Sequence, residues 1–397
     1  MTFDELIAPI TRDKFFSEIY DRRPLHIAAP AGGAKAATLG WEDLNRLLAI
    51  RAHWTPANLK LLINSRAMAS EFYTASVDTR EGPQLRADPA KVDVFLGMGA
   101  SLVADALEEV SPPVRAICDM LADTFGGRSG ANAYASFQGV QAFASHCDLH
   151  DVFALQCDGE KTWRLYQNRA LDPVDPPSPV GDAQQRIDAE KGPVAGEVRM
   201  RPGDILYLPR GWYHDALASS TRSLHISFAV MPLYGRALFR LLEAEAMEDP
   251  EFRAYLPDGR GDGGAALGAR LDLLAGRLAD ILRRPSFTAA LVNRQRELTT
   301  PAYPLHLPER LQLEHFMRLD VPAELARGHA AASVRTPGGE FPVELGIAEA
   351  VEWLLQRPAI SVQELGARYR HLPQAPLRAA VERLAQAGVL RAYTPKL

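Results

Sequence analysis

The sequence predicts a protein of the α+β class, in which a barrel or a double-sheet jelly roll of short strands lies between two helical regions. Three observations lead to this prediction. Apolar residues recur every three or four positions in the first third of the chain and again after residue 232, which is typical of helices packed on a core. From about Ala131 they recur every second position, in short runs separated by Gly, Asp and Pro. The length of 397 residues also suggests two or three domains.

The N-terminal part is expected to be mainly helical. Residues 2–27 have the pattern of short amphipathic helices that lead into a strand, and "WEDLNRLLAI" and "ADALEEVSPPVRAICDMLADTF" have the apolar spacing of longer helices. These helices would precede the strands and cover one side of them.

The region of period two contains the expected strands. Asp158 and Gly159 lie between two of its runs, and both residue types tolerate the positive φ of a tight turn, so we expect a β-hairpin there. Many short strands joined by such turns are typical of barrels and jelly rolls. The runs are "AYASFQ", "VFALQC", "TWRLYQ", "GEVRMRPGDILYLP" and "RSLHISFAV".

Beyond "VMPLYG" the pattern becomes helical again. Residues 236–247, 266–285 and 287–298 have helical spacing, with the flexible "PDGRGDGG" between the first two segments. The helix around Leu271 to Ile281 is lined with leucines, and this face suits a dimer interface and packing on the strand region equally well. We expect domains at residues 1–232, 233–325 and 326–397.

The last part of the chain has the order of three helices and a terminal β-ribbon, a pattern that resembles a winged helix. Residues 343–397 carry seven Lys and Arg against five Glu, a net charge of +2 from seven minus five. This charge is small for a module whose affinity for DNA comes largely from phosphate contacts. The segment in the position of a recognition helix, "APLRAAVERLAQAG", has few side chains able to read base edges. We therefore favour protein contact or packing over nucleic-acid binding.

Composition and charge exclude other classes of protein. A net charge of −5 argues against a generally nucleic-acid-binding surface. The three cysteines form no CxxC pair and fit a reducing compartment. The start, "MTFDELIAPI", carries acids where a signal peptide needs bases, and no later stretch approaches the roughly 18 apolar residues of a membrane helix. We expect a soluble, cytoplasmic protein that does not interact with membranes.

The stretch "SHCDLHDVFALQ" places metal-binding or acid–base groups at His146, Asp148, His150 and Asp151. On a strand, His146 and Asp148 would project from the same face. A third ligand is available at His214, in "RPGDILYLPRGWYHDA", where a turn and a strand precede it. Two histidines and one carboxylate on one face of a metal leave about three positions open, as in non-haem Fe(II) oxygenases.

An HxD pair alone is more often a solvated turn with a hydrogen-bonded histidine than a metal site. The second segment changes this interpretation, because the HxD pair is followed 66 residues later by a histidine, His214, that ends the segment "PGDILYLPRGWYH". We therefore interpret His146, Asp148 and His214 as metal ligands.

These residues also carry a family resemblance. "HCDLHDVFALQCDGEKTWRLY" and "RPGDILYLPRGWYHDA" resemble the two signature segments of the JmjC-type cupin oxygenases, and more closely those of the ribosomal-oxygenase branch, which hydroxylates ribosomal proteins. The segment "FFSEIYDRRPLHI" and the layout of the chain are similar to that branch as well. The resemblance implies a double-stranded β-helix core (a jelly-roll cupin) with N-terminal helices, a helical dimerisation region and a C-terminal winged-helix-like domain.

The resemblance further implies an Fe(II)- and 2-oxoglutarate-dependent oxygenase that consumes O₂. His146, Asp148 and His214 match the iron ligands of the family. Lys161 matches the basic residue that pairs with the distal carboxylate of 2-oxoglutarate, and a dianionic cosubstrate inside a barrel needs such a fixed cation. Without the resemblance, a lysine just past a turn would be interpreted as solvated.

Three further residues match positions near the cosubstrate. Asn132 and Tyr134 lie on the strand that leads into the site, where polar side chains contact the cosubstrate or make structural hydrogen bonds. His225 occupies a position near the 2-oxoglutarate carboxylate, and we prefer that role to a fourth metal ligand, which would block open positions. His150 is interpreted as a surface histidine, although it could line the mouth of the site, and Trp163 as barrel packing.

The leading functional hypothesis is a homodimeric hydroxylase of a protein or peptide, which oxidises a side-chain carbon such as the β-carbon of His or Arg. A second hypothesis is a tailoring hydroxylase of a ribosomally made precursor peptide, captured by the winged-helix-like domain. A third is a non-enzymatic, metal-binding cupin that acts as a regulator. The weak charge of the C-terminal domain counts against the third, and the complete ligand set together with Lys161 favours an enzyme.

Overall fold

The computed structural model describes residues 1–30, 33–63, 65–137, 139, 143–175, 183–299 and 314–393. The chain divides into two compact units, Met1–Pro232 and Leu233–Leu397. The predicted α+β class with antiparallel strands is confirmed, since every strand pair in both units is antiparallel.

The first unit begins with the short helices that the sequence predicts and continues with elements that its pattern did not show. A Thr2 hydroxyl and the Glu5 carboxylate cap the first helix reciprocally. The elements before the long strands are α1 (Phe3–Ile7), α2 (Arg12–Lys14), β1 (Leu25–Ile27), α3 (Trp41–Leu48), β2 (Leu59–Ile63), β3 (Arg66–Ala67), β4 (Thr74–Thr79), β5 (Gly82–Ala87), α4 (Pro89–Gly97), β6 (Ser101–Ala104) and α5 (Pro112–Phe125).

In the rest of the first unit, the described residues form five strands and one helix. They are β7 (Gly127–Phe137), β8 (Asp151–Arg169), α6 (Ala183–Glu190), β9 (Val194–Met200), β10 (Ile205–Leu208) and β11 (Trp212–Pro232). The main sheet has the order β1-β10-β8-β11-β7-β6-β2-β3, and β9 pairs with the second half of β8. The two longest strands, β8 and β11, therefore lie at its centre and carry most of the site.

Alternation along β8 separates two apolar clusters. Phe153 and Leu155 belong to the large core that the N-terminal helices cover, together with Phe3 and Phe15. Val152 and Ala154 point to the opposite face, where they pack with Trp163, Met200, Leu206 and Leu208. Because both faces are buried, a shift of the strand by one residue would place Phe153 and Leu155 in the smaller cluster and Val152 and Ala154 in the large core, where their sizes do not fit. This register fixes which side chains of β8 line the interior.

The prediction of a β-hairpin at Asp158 and Gly159 was wrong. β8 runs through both residues as one strand of 19 residues and pairs along its length with β11. Gly159 does have a positive φ of 62°, but it marks a bend at which the register with β11 shifts between Ala218 and Ser223. Glycine permits this conformation and also the close approach of the Arg222 carbonyl oxygen. The same local signal therefore produces a bend when both flanking runs pair with one long partner strand.

Replacement of Gly159 by alanine should destabilise the first unit strongly. A Cβ there would lie 1.9 Å from the Arg222 carbonyl oxygen and would also force a left-handed backbone on a non-glycine residue. We expect a loss of about 2–5 kcal/mol in the free energy of unfolding, measured by chemical denaturation. Gly196→Ala on β9 is the matched control, because a Cβ there meets nothing within 4 Å. Equal stability of the two variants would contradict the role given to Gly159.

In the described part of the second unit, three longer helices come first, and strands of two small sheets then alternate with further helices. Its elements are α7 (Arg236–Glu248), α8 (Pro250–Arg253), α9 (Ala265–Leu282), α10 (Pro285–Thr299), β12 (His315–Arg318), β13 (Glu324–Arg327), β14 (Ala332–Thr336), β15 (Gly339–Val343), α11 (Ala348–Leu355), β16 (Ala359–Ser361), α12 (Val362–Arg368), α13 (Gln374–Gln386) and β17 (Leu390–Tyr393). Three helices were expected between residues 233 and 299, and α7, α9 and α10 match them. Residues 300–313 of the predicted helical region lie outside the described residues.

The C-terminal helices α11, α12 and α13 appear in the predicted order. The terminal β-ribbon was only partly predicted, because β17 pairs with β12 from upstream and β12 pairs in turn with β16. Residues 394–395, the end of the predicted ribbon, lie outside the described residues. The winged-helix-like domain and its boundary at residue 326 remain predictions, as does the dimerisation region.

In the part of the chain that the structure describes, every helix is too short or too polar to cross a lipid bilayer.

Candidate metal centre and adjoining cavity

Three predicted ligands converge at one end of the β8–β11 pair. The ligand atoms of His146, Asp148 and His214 all lie within 4.8 Å of one another. His214 Nε2 is 3.7 Å from Asp148 Oδ2, and the two imidazole rings lie 4.5 Å apart between centroids. The structure therefore brings the three predicted side chains together.

The backbone that brings them together differs from the expected one. Residues 147–150 are not in a strand, and β8 begins only at Asp151. Instead, His146 N donates to His214 O at 3.0 Å and His214 N donates to His146 O at 2.8 Å, an isolated antiparallel bridge. Gly211 N donates to Asp148 O at 2.8 Å. These three bonds hold the HxD segment against the start of β11.

Both histidines are oriented by their second ring nitrogen. His146 Nδ1 lies 2.8 Å from the Ala144 carbonyl oxygen, and His214 Nδ1 lies 2.9 Å from the Trp212 carbonyl oxygen. A carbonyl oxygen can only accept, so each Nδ1 carries the hydrogen. The Nε2 lone pair of each ring is then free for a metal, the arrangement that outer contacts of metal-binding histidines usually impose.

The charge states of the three groups also suit a metal. Burial would raise the pKa of Asp148, but the neighbouring His214, His146 and His150 outweigh this effect and hold the pKa below its usual value. Burial, and then the neighbouring His146, lower the pKa of His214 to about 4. A carboxylate and a neutral imidazole are the forms that bind a metal at neutral pH. Two imidazoles and one carboxylate form a donor set for Fe(II) that leaves open positions.

A buried cation lies beyond the three ligands in the same cavity. Lys161, on the second half of β8, is 2% exposed, and burial lowers the pKa of its amine to about 7. Among the described residues, its one hydrogen-bond contact is His225 Nδ1 at 3.4 Å. The buried amine therefore lacks the anionic partner that a buried charge requires. The alternative interpretation of Lys161, as a lysine exposed to solvent, is therefore wrong.

Three predicted polar residues surround this amine. Tyr134 on β7 lies opposite His225 on β11 in the strand register, and their rings stack at 4.7 Å with 9° between planes. Lys161 Nζ lies 6.0 Å from the Tyr134 ring centroid. Asn132, on the same strand as Tyr134, lines the cavity as well. Burial and the nearby Lys161 hold the pKa of His225 well below its usual value, so that ring is neutral.

One cavity of about 240 Å³ joins the two groups of residues. Trp163 lies between them, with its ring centroid 5.6 Å from that of His214 and 5.4 Å from that of His225. The cavity thus has metal-binding donors at one side and a buried amine at the other. Its lining residues are Asn132, Tyr134, Phe143, His146, Asp148, His150, Val152, Lys161, Trp163, His214, Ala216, His225, Ser227 and Ala229.

The structure also shows where three residues lie that we did not assign to the site from the sequence: Trp163, His150 and Asp151. Trp163 packs in the barrel as predicted and lines the cavity as well. His150 is partly buried and lines the cavity, so its interpretation as a surface histidine was wrong. Asp151 is buried and accepts hydrogen bonds from the Tyr207 hydroxyl and the Arg210 backbone, which makes it a structural residue.

Sequence reasoning missed Asp215, which directly follows His214. It is 1% exposed and accepts hydrogen bonds from Ser145, Arg164 and Tyr166. A weak signal was available, because the period-two pattern puts a charged residue at an alternate position of a strand with buried neighbours. That signal could not show which partners satisfy the carboxylate.

Known sequences are similar to the part of the chain that contains the site. A family model described as JmjC domain matches residues 108–238. Ribosomal oxygenase 1 of Gallus gallus is 31% identical over 262 residues, which cover 64% of this chain and 42% of that protein. A Dictyostelium discoideum protein named bifunctional lysine-specific demethylase and histidyl-hydroxylase NO66 is 36% identical over 182 residues, which cover 44% of this chain and 35% of that protein. The chain thus spans less than half the length of these relatives.

Solved structures show the same fold. The X-ray structure of E. coli ycfD matches with a TM-score of 0.50 and 16% identity, and covers 97% of this chain and 98% of that one. The E. coli ribosomal oxygenase YcfD in complex with cobalt and 2-oxoglutarate matches with a TM-score of 0.50 and 17% identity, over 97% and 99%. At these identities the likeness concerns the fold, and it confirms the cupin core that the sequence predicted. Residues 108–238 thus match a JmjC domain, and the chain is similar to ribosomal oxygenases in sequence and in fold.

Proposed function

We propose that the protein is an Fe(II)- and 2-oxoglutarate-dependent oxygenase that hydroxylates a side-chain carbon of a protein or peptide. One observation carries the proposal. A metal-binding set of His146, Asp148 and His214 shares a cavity with Lys161, a buried amine that has no anionic partner among the residues that the structure describes. A cosubstrate with one end that chelates a metal and another that is a carboxylate satisfies both halves of the cavity.

The residues of the chain would hold and orient the reactants. Lys161 would pair with the distal carboxylate of 2-oxoglutarate, and Tyr134, Asn132 and His225 would fix that end by hydrogen bonding and by shape. Bound Fe(II) would supply the O₂ activation that couples decarboxylation of 2-oxoglutarate to oxidation of a C–H bond. One oxygen atom ends in succinate and the other in the product hydroxyl, while CO₂ is released, so atoms and electrons balance.

The walls of the cavity would limit side reactions. Trp163 is 4% exposed and packs among aliphatic side chains of the barrel, so water has little access from that side. The three ligands lie on backbone held by hydrogen bonds, which keeps the donors oriented before any ligand binds. The protein would thus contribute binding, orientation and exclusion of water, and the cofactor the oxidising chemistry.

A polypeptide substrate is supported by the relatives, whose names describe a ribosomal oxygenase and a histidyl-hydroxylase. The names of the relatives favour a histidine target, and the resemblance of the two signature segments leads us to expect a His or Arg side chain of a ribosomal protein, with the cytoplasm as the expected location. The helical region would serve as a dimerisation region, since Leu271 and Leu273 of α9 are 52% and 45% exposed. The winged-helix-like domain would contact the polypeptide substrate.

The proposed function predicts incorporation of one oxygen atom from O₂ into a polypeptide. The protein is incubated with Fe(II), 2-oxoglutarate and ¹⁸O₂ in a ribosome-containing extract, and peptides are searched by mass spectrometry for ¹⁸O. We expect label on one residue and stoichiometric succinate. A parallel reaction without 2-oxoglutarate is the control and should show neither product.

The other outcomes separate the alternatives. Succinate without labelled protein would reject a ribosomal substrate and favour a precursor peptide. Absence of both succinate and label would contradict the enzymatic assignment and favour a metal-binding regulator.

A further inference from the structure

A buried carboxylate lies directly behind the metal-binding histidines. Asp215 follows the ligand His214 on β11, and its side chain is 1% exposed. It is absent from the cavity lining, so it belongs to the layer behind the ligands. A carboxylate without water must be matched by hydrogen-bond donors, or the cost of burial is large.

Three donors satisfy Asp215 completely. The Ser145 hydroxyl donates to Oδ2 at 2.9 Å, the Tyr166 hydroxyl donates to the same oxygen at 2.6 Å, and Arg164 Nε donates to Oδ1 at 2.7 Å. Tyr166 and Arg164 both belong to β8, the strand that pairs with β11 beside the site. Charge-assisted bonds of this kind are short and roughly twice as strong as neutral ones.

Ser145 connects this cluster to the segment that carries His146 and Asp148. Ser145 directly precedes His146, and Asp215 directly follows His214, so one hydrogen bond joins the neighbours of two ligands across the isolated bridge. Apart from this link, described residues 145–148 are held to β11 by two backbone hydrogen bonds between His146 and His214, and a third backbone bond joins Asp148 to Gly211, just before β11. A segment with so few bonds frays easily unless side chains hold it.

A second layer supports the serine from outside. Lys191 Nζ contacts Ser145 Oγ at 3.0 Å, and Gln184 Nε2 donates to the Ser145 carbonyl oxygen at 3.1 Å. Gln184 lies on α6 and Lys191 directly follows that helix, so the start of α6 and the residue after the helix lie behind the HxD segment. The layer thus links α6, β8 and β11 through the Ser145–Asp215 pair.

We propose that Asp215 is a positioning residue for the metal site, and that it acts through Ser145 to hold His146 and His214 at metal-binding separation. The proposal rests on the metal site named under the proposed function. Asp215 would not touch the metal or substrate. Its loss would let the HxD segment move away from β11, and metal affinity would fall even in a folded protein. Outer contacts of this kind typically contribute 10- to 100-fold to metal affinity.

The test measures Co²⁺ binding by the purified full chain at a temperature well below its unfolding transition. Asp215→Asn keeps the shape but cannot accept from all three donors, and we expect the Co²⁺ dissociation constant to rise roughly 10- to 100-fold. Ser145→Ala removes only the link to the HxD segment, and a rise of roughly 3- to 10-fold is expected, as for one lost hydrogen bond. The visible spectrum of bound Co²⁺ should change in both variants, because it reports ligand geometry.

Asp204→Asn is the matched control. Asp204 is also a buried carboxylate of this unit and accepts from Ala29 N, Arg201 N and the His26 ring, but it contacts no ligand-bearing segment. The control should lose stability and keep the Co²⁺ dissociation constant of the wild type. The proposal fails if Asp215→Asn and Ser145→Ala bind Co²⁺ like the wild type, or if Asp204→Asn weakens binding equally. A wild-type protein that binds no Co²⁺ would instead overturn the metal site itself.

Discussion

Replacement of Asp148 by alanine should abolish both metal binding and succinate formation while the protein remains folded. Asp148 supplies the anionic ligand of the set, and its carboxylate lies 3.7 Å from His214 Nε2. Since loss of an outer contact alone can weaken a metal site by about 10- to 100-fold, loss of a ligand should weaken it by more than about 100-fold. The measurement is Co²⁺ titration of the purified variant, followed by a succinate assay with Fe(II).

The stability of the metal-free protein should fall only modestly. The neighbouring histidines hold the pKa of Asp148 below its usual value, so its carboxylate contributes some stability at neutral pH, and the variant loses that contribution. Thermal unfolding of the metal-free variant therefore separates a lost ligand from a lost fold. Unfolding at a much lower temperature would assign Asp148 a structural role.

Cys147→Ser is a control within the same tripeptide. Cys147 lies between the two ligands but packs against Tyr166, Ile187 and Tyr213 on the side away from the cavity. We expect this variant to bind Co²⁺ and form succinate like the wild type. Retention of metal binding by Asp148→Ala, or its loss in Cys147→Ser, would contradict the ligand assignment.

The metal ligands could be predicted from sequence because their chemistry is local and their types are restrictive. His146 and Asp148 stand two positions apart, and His214 follows a turn, a strand and a glycine that recur in the resembling family. The conformation behind them could not be predicted. Strand periodicity correctly placed the His146 and Asp148 side chains near each other, but it assigned both residues to a strand. In the structure, an isolated bridge joins His146 to His214 instead.

The parts that escaped prediction depend on pairing at long range. Asp158 and Gly159 have the composition of a hairpin turn, and whether the chain reverses or bends there depends on β11, some sixty residues later. The same holds for Asp215, whose partners come from Ser145 and from two residues of β8. The strand β12 could not be assigned to the C-terminal sheet either, because its partners lie more than forty residues downstream.

Replacement of Lys161 by methionine should stabilise the ligand-free protein and weaken 2-oxoglutarate binding. The folded pKa of about 7 lies below the usual 10.5, so the charged amine is destabilising at pH below about 7, and this cost declines as pH rises from 7 to 10.5. Methionine has similar length and no charge, and it removes that cost. We expect an unfolding temperature higher by a few degrees at pH 6, measured by calorimetry without cosubstrate.

The same substitution should weaken cosubstrate binding by at least roughly 30-fold, because removal of one member of a buried ion pair leaves the other uncompensated. Isothermal titration of 2-oxoglutarate into the Mn²⁺-loaded protein measures this effect without turnover. Co²⁺ or Mn²⁺ affinity should be unchanged, since Lys161 is not a member of the ligand set. An equal affinity for 2-oxoglutarate in both proteins would contradict the proposed ion pair.

Wild-type affinity for 2-oxoglutarate should fall as pH rises above about 7, by at most tenfold per pH unit, because the amine of Lys161 then loses its proton. The other titratable groups that face this amine do not change charge there: His225 has a pKa well below its usual value and Tyr134 has one well above. Lys161→Arg provides the control, since a guanidinium stays charged throughout this range. Affinity in that variant should be independent of pH between 6 and 9, and so should the weak binding of Lys161→Met. A wild-type affinity that is flat over the same range would show that another group carries the charge that binds the cosubstrate.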